Sequence, residues 1–199
     1  AGTSDAFLQA VLTQGADGRV GFSGLGWLIA FAPMGMAFFL MFRLRSLSTQ
    51  GLQMTFWAYA GLMGLSLFSI FVVYTAASVL KVFLITAGTF GLLSMVGYTT
   101  KRDLSGMGSF LMMGLFGLVI ASVVNLFMQS SALHFALSVV GLGIFVGLTA
   151  FDTQRLKSMY YQVGGGEAAE RMAIMGALRL YLDFINMFIH LMQLLGNRR

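Results

Sequence analysis

The residues best placed to do chemistry lie in one apolar stretch near the C-terminal end, LRLYLDFINMFIHLMQLL. Asp183 stands near its middle, where a carboxylate at the centre of a membrane helix costs about 2.5 to 3.5 kcal/mol on insertion scales. Arg179, Asp183, Asn186, His190 and Gln193 follow one another at intervals of four, three, four and three residues. All five therefore fall on one helical face. Lipid cannot satisfy such a stripe, so it must face other helices or a watery cavity. Ionisable groups at that depth hold or pass protons and ions, or pair with one another. The plainer reading of Asp183 is a structural ion pair with Arg179, one turn back.

Asp152, in GLTAFDTQRLK, closes another apolar run. It reads either as a working group at the end of a span or as an interfacial residue that caps a following helix through the amides near Gln154 and Arg155. The remaining inventory points away from catalysis. His134 and His190 are too few and too separated for zinc, and the chain has no cysteine to supply a thiolate, a disulfide or a Cys-based metal site. The motifs H-E-x-x-H and G-x-S-x-G and a phosphate-binding Walker loop are missing. Gly164 to Gly166 lack the following Lys-Ser/Thr and read as a flexible loop. Asp103 beside Lys101 and Arg102 reads as a loop salt-bridge former. No catalytic residue is assigned, and a nonenzymatic protein is expected.

The elements that must position these groups follow from composition. Of 199 residues, 58% are hydrophobic and 10% charged, and the mean hydropathy is +0.84. Soluble domains carry about 25% charged residues, so a soluble enzyme and a disordered linker are both excluded. The net charge of +5 is scattered one or two residues at a time between apolar runs, so no patch for nucleic acid forms. The partner such a chain needs is the lipid bilayer.

A hydrocarbon core about 30 Å thick takes a helix of about 20 residues, and six runs qualify: 24–42, 53–74, 77–98, 107–128, 131–151 and 175–195. Lys and Arg alternate between the loops. Arg43 and Arg45, Lys101 and Arg102, then Arg155, Lys157 and Arg171 fall on one side, which the positive-inside rule makes cytoplasmic. The turns near Thr75 and Ser130 and both chain ends then lie outside, with Arg198 and Arg199 voting against. An outside start at AGTSDAFLQAVL suggests a missing upstream helix or a cleaved signal peptide. The apolar fragment 5–13 is too short to span and reads as interfacial or re-entrant. Pro33 should bend the first span. Gly143 and Gly147, the row Gly114, Gly117, Ala121 and Asn125, and Gly61 with Gly64 read as close helix contacts. The many Met and Phe read as packing and lipid-facing residues.

The segments MGALRLYLDFINMFIHLMQLLG, GLTAFDTQRLKSMY, YTTKRDLSGMGSFLMMGL and IASVVNLF resemble the Bax inhibitor-1 family, also called the transmembrane BAX inhibitor motif family, in its bacterial inner-membrane branch. The likeness covers the chain from about Gly24 onward. It implies an all-α polytopic membrane protein of seven helices, the last one central, of which six are visible in a single transmembrane domain 1–199. It therefore favours a missing first helix over a cleaved signal peptide.

The resemblance further implies that Asp152 and Asp183 form a carboxylate pair that senses protons, in a protein associated with pH-dependent calcium leak. Arg43, or Arg45 with a small shift of alignment, matches a third functional residue at the cytoplasmic mouth, where it would pair with Asp152. Arg179 departs from the family, which usually has a small or uncharged residue there. Two carboxylates in one low-dielectric site resist double ionisation, so a shared proton would pin their helices together, and full deprotonation or a bound cation would part them. Calcium prefers hard oxygen ligands of this kind, so the expected ligands are calcium and protons at Asp152 and Asp183, with no other cofactor. The competing reading is a nonconducting protein that accompanies another membrane complex, such as a membrane-anchored AAA protease or an energy-transducing assembly. Some bacterial relatives are linked to modulation of such a protease. A transporter of larger organic substrates is opposed by the lack of an obvious inverted repeat.

Overall fold

A computed structural model describes residues 10–14, 20–26, 28, 36, 47–163 and 165–198. The chain forms two compact units, residues 1–69 and 70–199. In the first, β1 (Leu12–Gln14) pairs antiparallel with β2 (Val20–Phe22), Thr13 opposite Gly21. The segment 5–13, expected to be interfacial or re-entrant, lies outside the described residues except for its last four, of which Leu12 and Thr13 belong to β1. The first expected span, 24–42, with Pro33, lies outside the described residues except for Gly24, Leu25, Gly26, Leu28 and Met36.

Among the described residues five long apolar helices follow: α1 (Thr49–Val73), α2 (Ala76–Thr99), α3 (Ser105–Met128), α4 (Ser131–Val163) and α5 (Glu167–Leu195). Each is long and apolar enough to cross a membrane, so the protein is an all-α polytopic membrane protein. The turns between them are short, and two of them are capped by side chains. Thr75 caps α2 by accepting the Ser78 N–H, and Gln129 ends α3 in the left-handed conformation while Asn125 Oδ1 accepts the Ser130 N–H.

Two boundaries depart from the sequence expectation. The run 131–151 extends as helix to Val163, and the run 175–195 begins at Glu167. Hydropathy ends where charge begins, but Arg155 and Lys157 are good helix formers and do not stop a backbone. The helix stops only at the glycines, where Gly165 and Gly166 adopt φ of 106° and 77°, a region open to glycine without strain. The 33 residues of α4 make a rod of about 50 Å, longer than the hydrocarbon core, so α4 and α5 continue beyond it as a helical hairpin.

In the second unit α4 packs against α2, α3 and α5, and α5 packs against α4 and α2. The central position expected of the last helix is thus shared with α4. Val82, Ile144, Phe145, Leu148, Met187, Phe188 and Met192 meet in the core. The outward faces of α2 and α3 expose Leu84, Leu92, Phe110, Phe116 and Phe127, the surface a lipid solvent requires.

The glycine contacts only partly match the expected ones. A methyl at Gly147 would strike Leu111, whereas Gly143, Gly117, Gly61 and Gly64 have open space around them. The tightest crossing comes from Gly97, where an added Cβ would run into the Ala150 carbonyl oxygen. At the far end, the Asn197 N–H donates to Ser78 Oγ at 2.9 Å and the Thr75 N–H to the Asn197 carbonyl at 3.2 Å, tying the end of α5 to the α1–α2 turn.

Candidate functional site: a polar seam between α4 and α5

The polar stripe of α5 lies against α4 along much of its length. Nearest the basic end, Arg179 Nη1 stands 3.7 Å from Asp152 Oδ1. The Arg179 side chain is half exposed and that of Asp152 largely covered. Asp152 lies inside α4, so the capping reading falls: a mid-helix residue faces amides already bonded to the preceding turn. The alternative reading, in which Asp183 only answers Arg179, is weakened, because Arg179 reaches across to Asp152 on the neighbouring helix.

One turn deeper, Asp183 is 4% exposed. Its carboxyl group is within hydrogen-bonding reach of Asp152 and feels the charge of Arg179. Asp183 Oδ2 is buried and meets no donor among the described residues. Two carboxylates that face each other repel when both are ionised, and one proton between them turns the repulsion into a hydrogen bond. The pair sits where the apolar stretch of α4 ends. Arg43 and Arg45 lie outside the described residues.

Further along, Asn186 Nδ2 donates to the Leu182 carbonyl at 2.8 Å, a bond within its own helix. His190 stacks on Phe145, with ring centroids 5.8 Å apart and planes 26° from parallel. The stack exists because Gly141 has no side chain, since a Cβ there would overlap the imidazole. At the far end, Ser138 Oγ donates to Gln193 Oε1 at 2.7 Å. Sequence reading missed Gly141, Phe145 and Ser138. Only the small residues of α4 at spacings of three or four offered a signal, and Gly143 drew attention to the wrong one.

The α2–α3 turn is held separately. Gln154 accepts the Leu104 N–H at 2.9 Å through Oε1 and donates to the Arg102 carbonyl at 2.7 Å through Nε2. Asp103 bonds to Ser105 rather than serving only as a charge partner in the loop. Hydrogen bonds from the Ser105 side chain and backbone N–H hold its carboxyl below the ordinary carboxylate range. No group of three or more His, Asp or Glu side chains suited to a metal occurs among the described residues.

Long apolar helices carrying a buried acidic seam define a multi-pass membrane protein with ionisable groups in its interior. Residues 4–199 match the family described as "Inhibitor of apoptosis-promoting Bax1". The chain belongs to this Bax inhibitor-1 family. It is 50% identical over 177 residues to the uncharacterized protein RP147 of Rickettsia prowazekii, covering 89% of this chain and 75% of that one. It is 47% identical over 173 residues to the inner membrane protein YbhL of Escherichia coli K12, covering 86% and 74%. A Caulobacter vibrioides protein is 46% identical over 180 residues, covering 90% and 72%. The protein is thus a multi-pass protein of the bacterial inner membrane.

Proposed function

We propose that the protein is a pH-sensitive calcium leak or channel, gated by the pair Asp152 and Asp183, and not an enzyme. The observation that carries this reading is the buried Asp183, within hydrogen-bonding reach of Asp152 and without a donor for Oδ2 among the described residues. A shared proton holds α4 and α5 together there. Its loss leaves two like charges face to face, which drives the helices apart or draws in a cation. Two carboxylates fall well short of the six to eight oxygens a resident calcium takes, so the ion is one that passes rather than a fixed cofactor. Arg179, 3.7 Å from Asp152 on the same seam, supplies a counter-charge that holds the pair closed from the basic end.

The test is calcium flux into liposomes holding the purified protein, at two pH values on either side of neutrality. Flux that depends on protein and pH, and loses its pH dependence in Asp183→Asn, supports the gate. Absence of flux in protein shown to be folded rejects it and leaves the nonconducting partner of a membrane complex, for which copurification in mild detergent is the direct measurement.

A further inference from the structure

Away from the seam, a cavity of about 650 Å³ opens between the α2–α3 turn and the flank of α4. Its walls carry Lys101, Arg102, Arg155 and Lys157 against one carboxylate, Asp103, and that carboxylate is engaged by Ser105. Cations gathered in one opening repel unless an anion sits among them. Two of them are oriented by aromatic rings, and of these Arg155 also feels the Asp152 carboxylate on its far side. Lys157 Nζ donates to the Tyr98 carbonyl at 2.7 Å and lies 4.3 Å from the Tyr98 ring centroid, and the Arg155 guanidinium is 6.0 Å from the Phe151 ring. The walls are fixed as well as charged, because Gln154 clamps the turn through both ends of its amide.

The surroundings favour a lipid over a soluble anion. Tyr98 and Tyr161 on the cavity wall are 53% and 70% exposed, and amphipathic rings of this kind settle at headgroup level. Ser105 and Ser109 line the opening. Met113 and Phe116 continue that face of α3 toward the bilayer and are 66% and 61% exposed. A molecule with a phosphate at one end and acyl chains at the other meets both surfaces at once. We propose that this opening binds the headgroup of an anionic phospholipid, its phosphate held by Lys101, Arg102 and Arg155 and its chains lying along α3. Basic pockets between membrane helices take such headgroups on general electrostatic grounds.

The test is native mass spectrometry of the purified protein titrated with phosphatidylglycerol or phosphatidylcholine, a readout independent of any flux. The wild type should retain phosphatidylglycerol in preference to phosphatidylcholine. Lys101→Gln with Arg102→Gln should weaken phosphatidylglycerol binding about tenfold or more. Lys81→Gln with Arg198→Gln, an equal charge change toward the other end of the helical unit, should leave it unchanged. Equal losses in the two double variants, or no loss in the first, would overturn the assignment. Tight binding of inorganic phosphate with no preference between the two lipids would make the ligand a soluble anion and reject the lipid.

Discussion

Asp183 and Arg179 make opposite demands on a substitution. Asp183→Asn keeps the shape and much of the hydrogen bonding while removing the titratable partner of Asp152, and a neutral amide is cheaper in the membrane than a carboxylate. The variant should stay folded, with a melting temperature near that of the wild type, while calcium flux loses most of its pH dependence. A folded Asp183→Asn protein with an unchanged pH profile would defeat the proton-sensing role. If Asp183 instead served only to answer Arg179, the single variant would melt early and Arg179→Leu added to it would restore stability. The 3.7 Å contact of Arg179 with Asp152 argues for the first outcome. Asp103 gives a separate pH test outside the spans. Its carboxyl is held below its ordinary range by Ser105, so its contribution is present above the unfolded pKa and lost as pH falls through the folded one. Wild type and Asp103→Asn should therefore differ slightly in thermal melts at neutral pH and converge in acid.

The helices are positioned by a few places where no side chain fits. At Gly97 an added methyl meets the Ala150 carbonyl, and backbone cannot swing aside as a side chain can. Gly97→Ala should destabilise the protein by about 1 to 3 kcal/mol, as overpacking of cores does. Gly143→Ala, with open space around it, should stay within about 0.5 kcal/mol of the wild type. Equal melting temperatures for the two variants would show that the α2–α4 crossing is not set by Gly97. Gly141 does the same for the seam, since it lets the His190 ring lie against α4.

At the scale of the whole molecule, what matters is which way the helices of the second unit point through the membrane. Lys101, Arg102, Arg155 and Lys157 are grouped at one end of that unit. Ser131 begins α4 and the exposed Ser158 lies in its last turns, so the two residues lie toward opposite ends of one helix. By the positive-inside rule, Ser158→Cys should react with an impermeant thiol reagent from the cytoplasm, and Ser131→Cys from the other face. Labelling of both from one side would sink the orientation. The wild-type chain has no cysteine, so the background is clean.

Five of the spans, the membrane class and the polar face of α5 were legible in the amino-acid sequence, because apolar length and helical periodicity are local properties that lipid enforces strongly. The importance of Asp183 was legible for the same reason, since no local interaction makes a buried carboxylate cheap. Which residue answers it was legible only through the family resemblance, which pointed to Asp152, and not from spacing. Asp152 and Asp183 lie 31 positions apart, and the reach of Arg179 to α4 depends on how two helices cross, which the nearest glycines and ring stacks decide. The continuation of α4 to Val163 was hidden because hydropathy reports the lipid boundary while the helix obeys only its backbone. The grouping of four cations around one cavity was hidden too. In sequence they form two separated pairs, and the packing of α2 and α3 on α4, together with the clamp of Gln154 on the α2–α3 turn, brings those pairs to one wall.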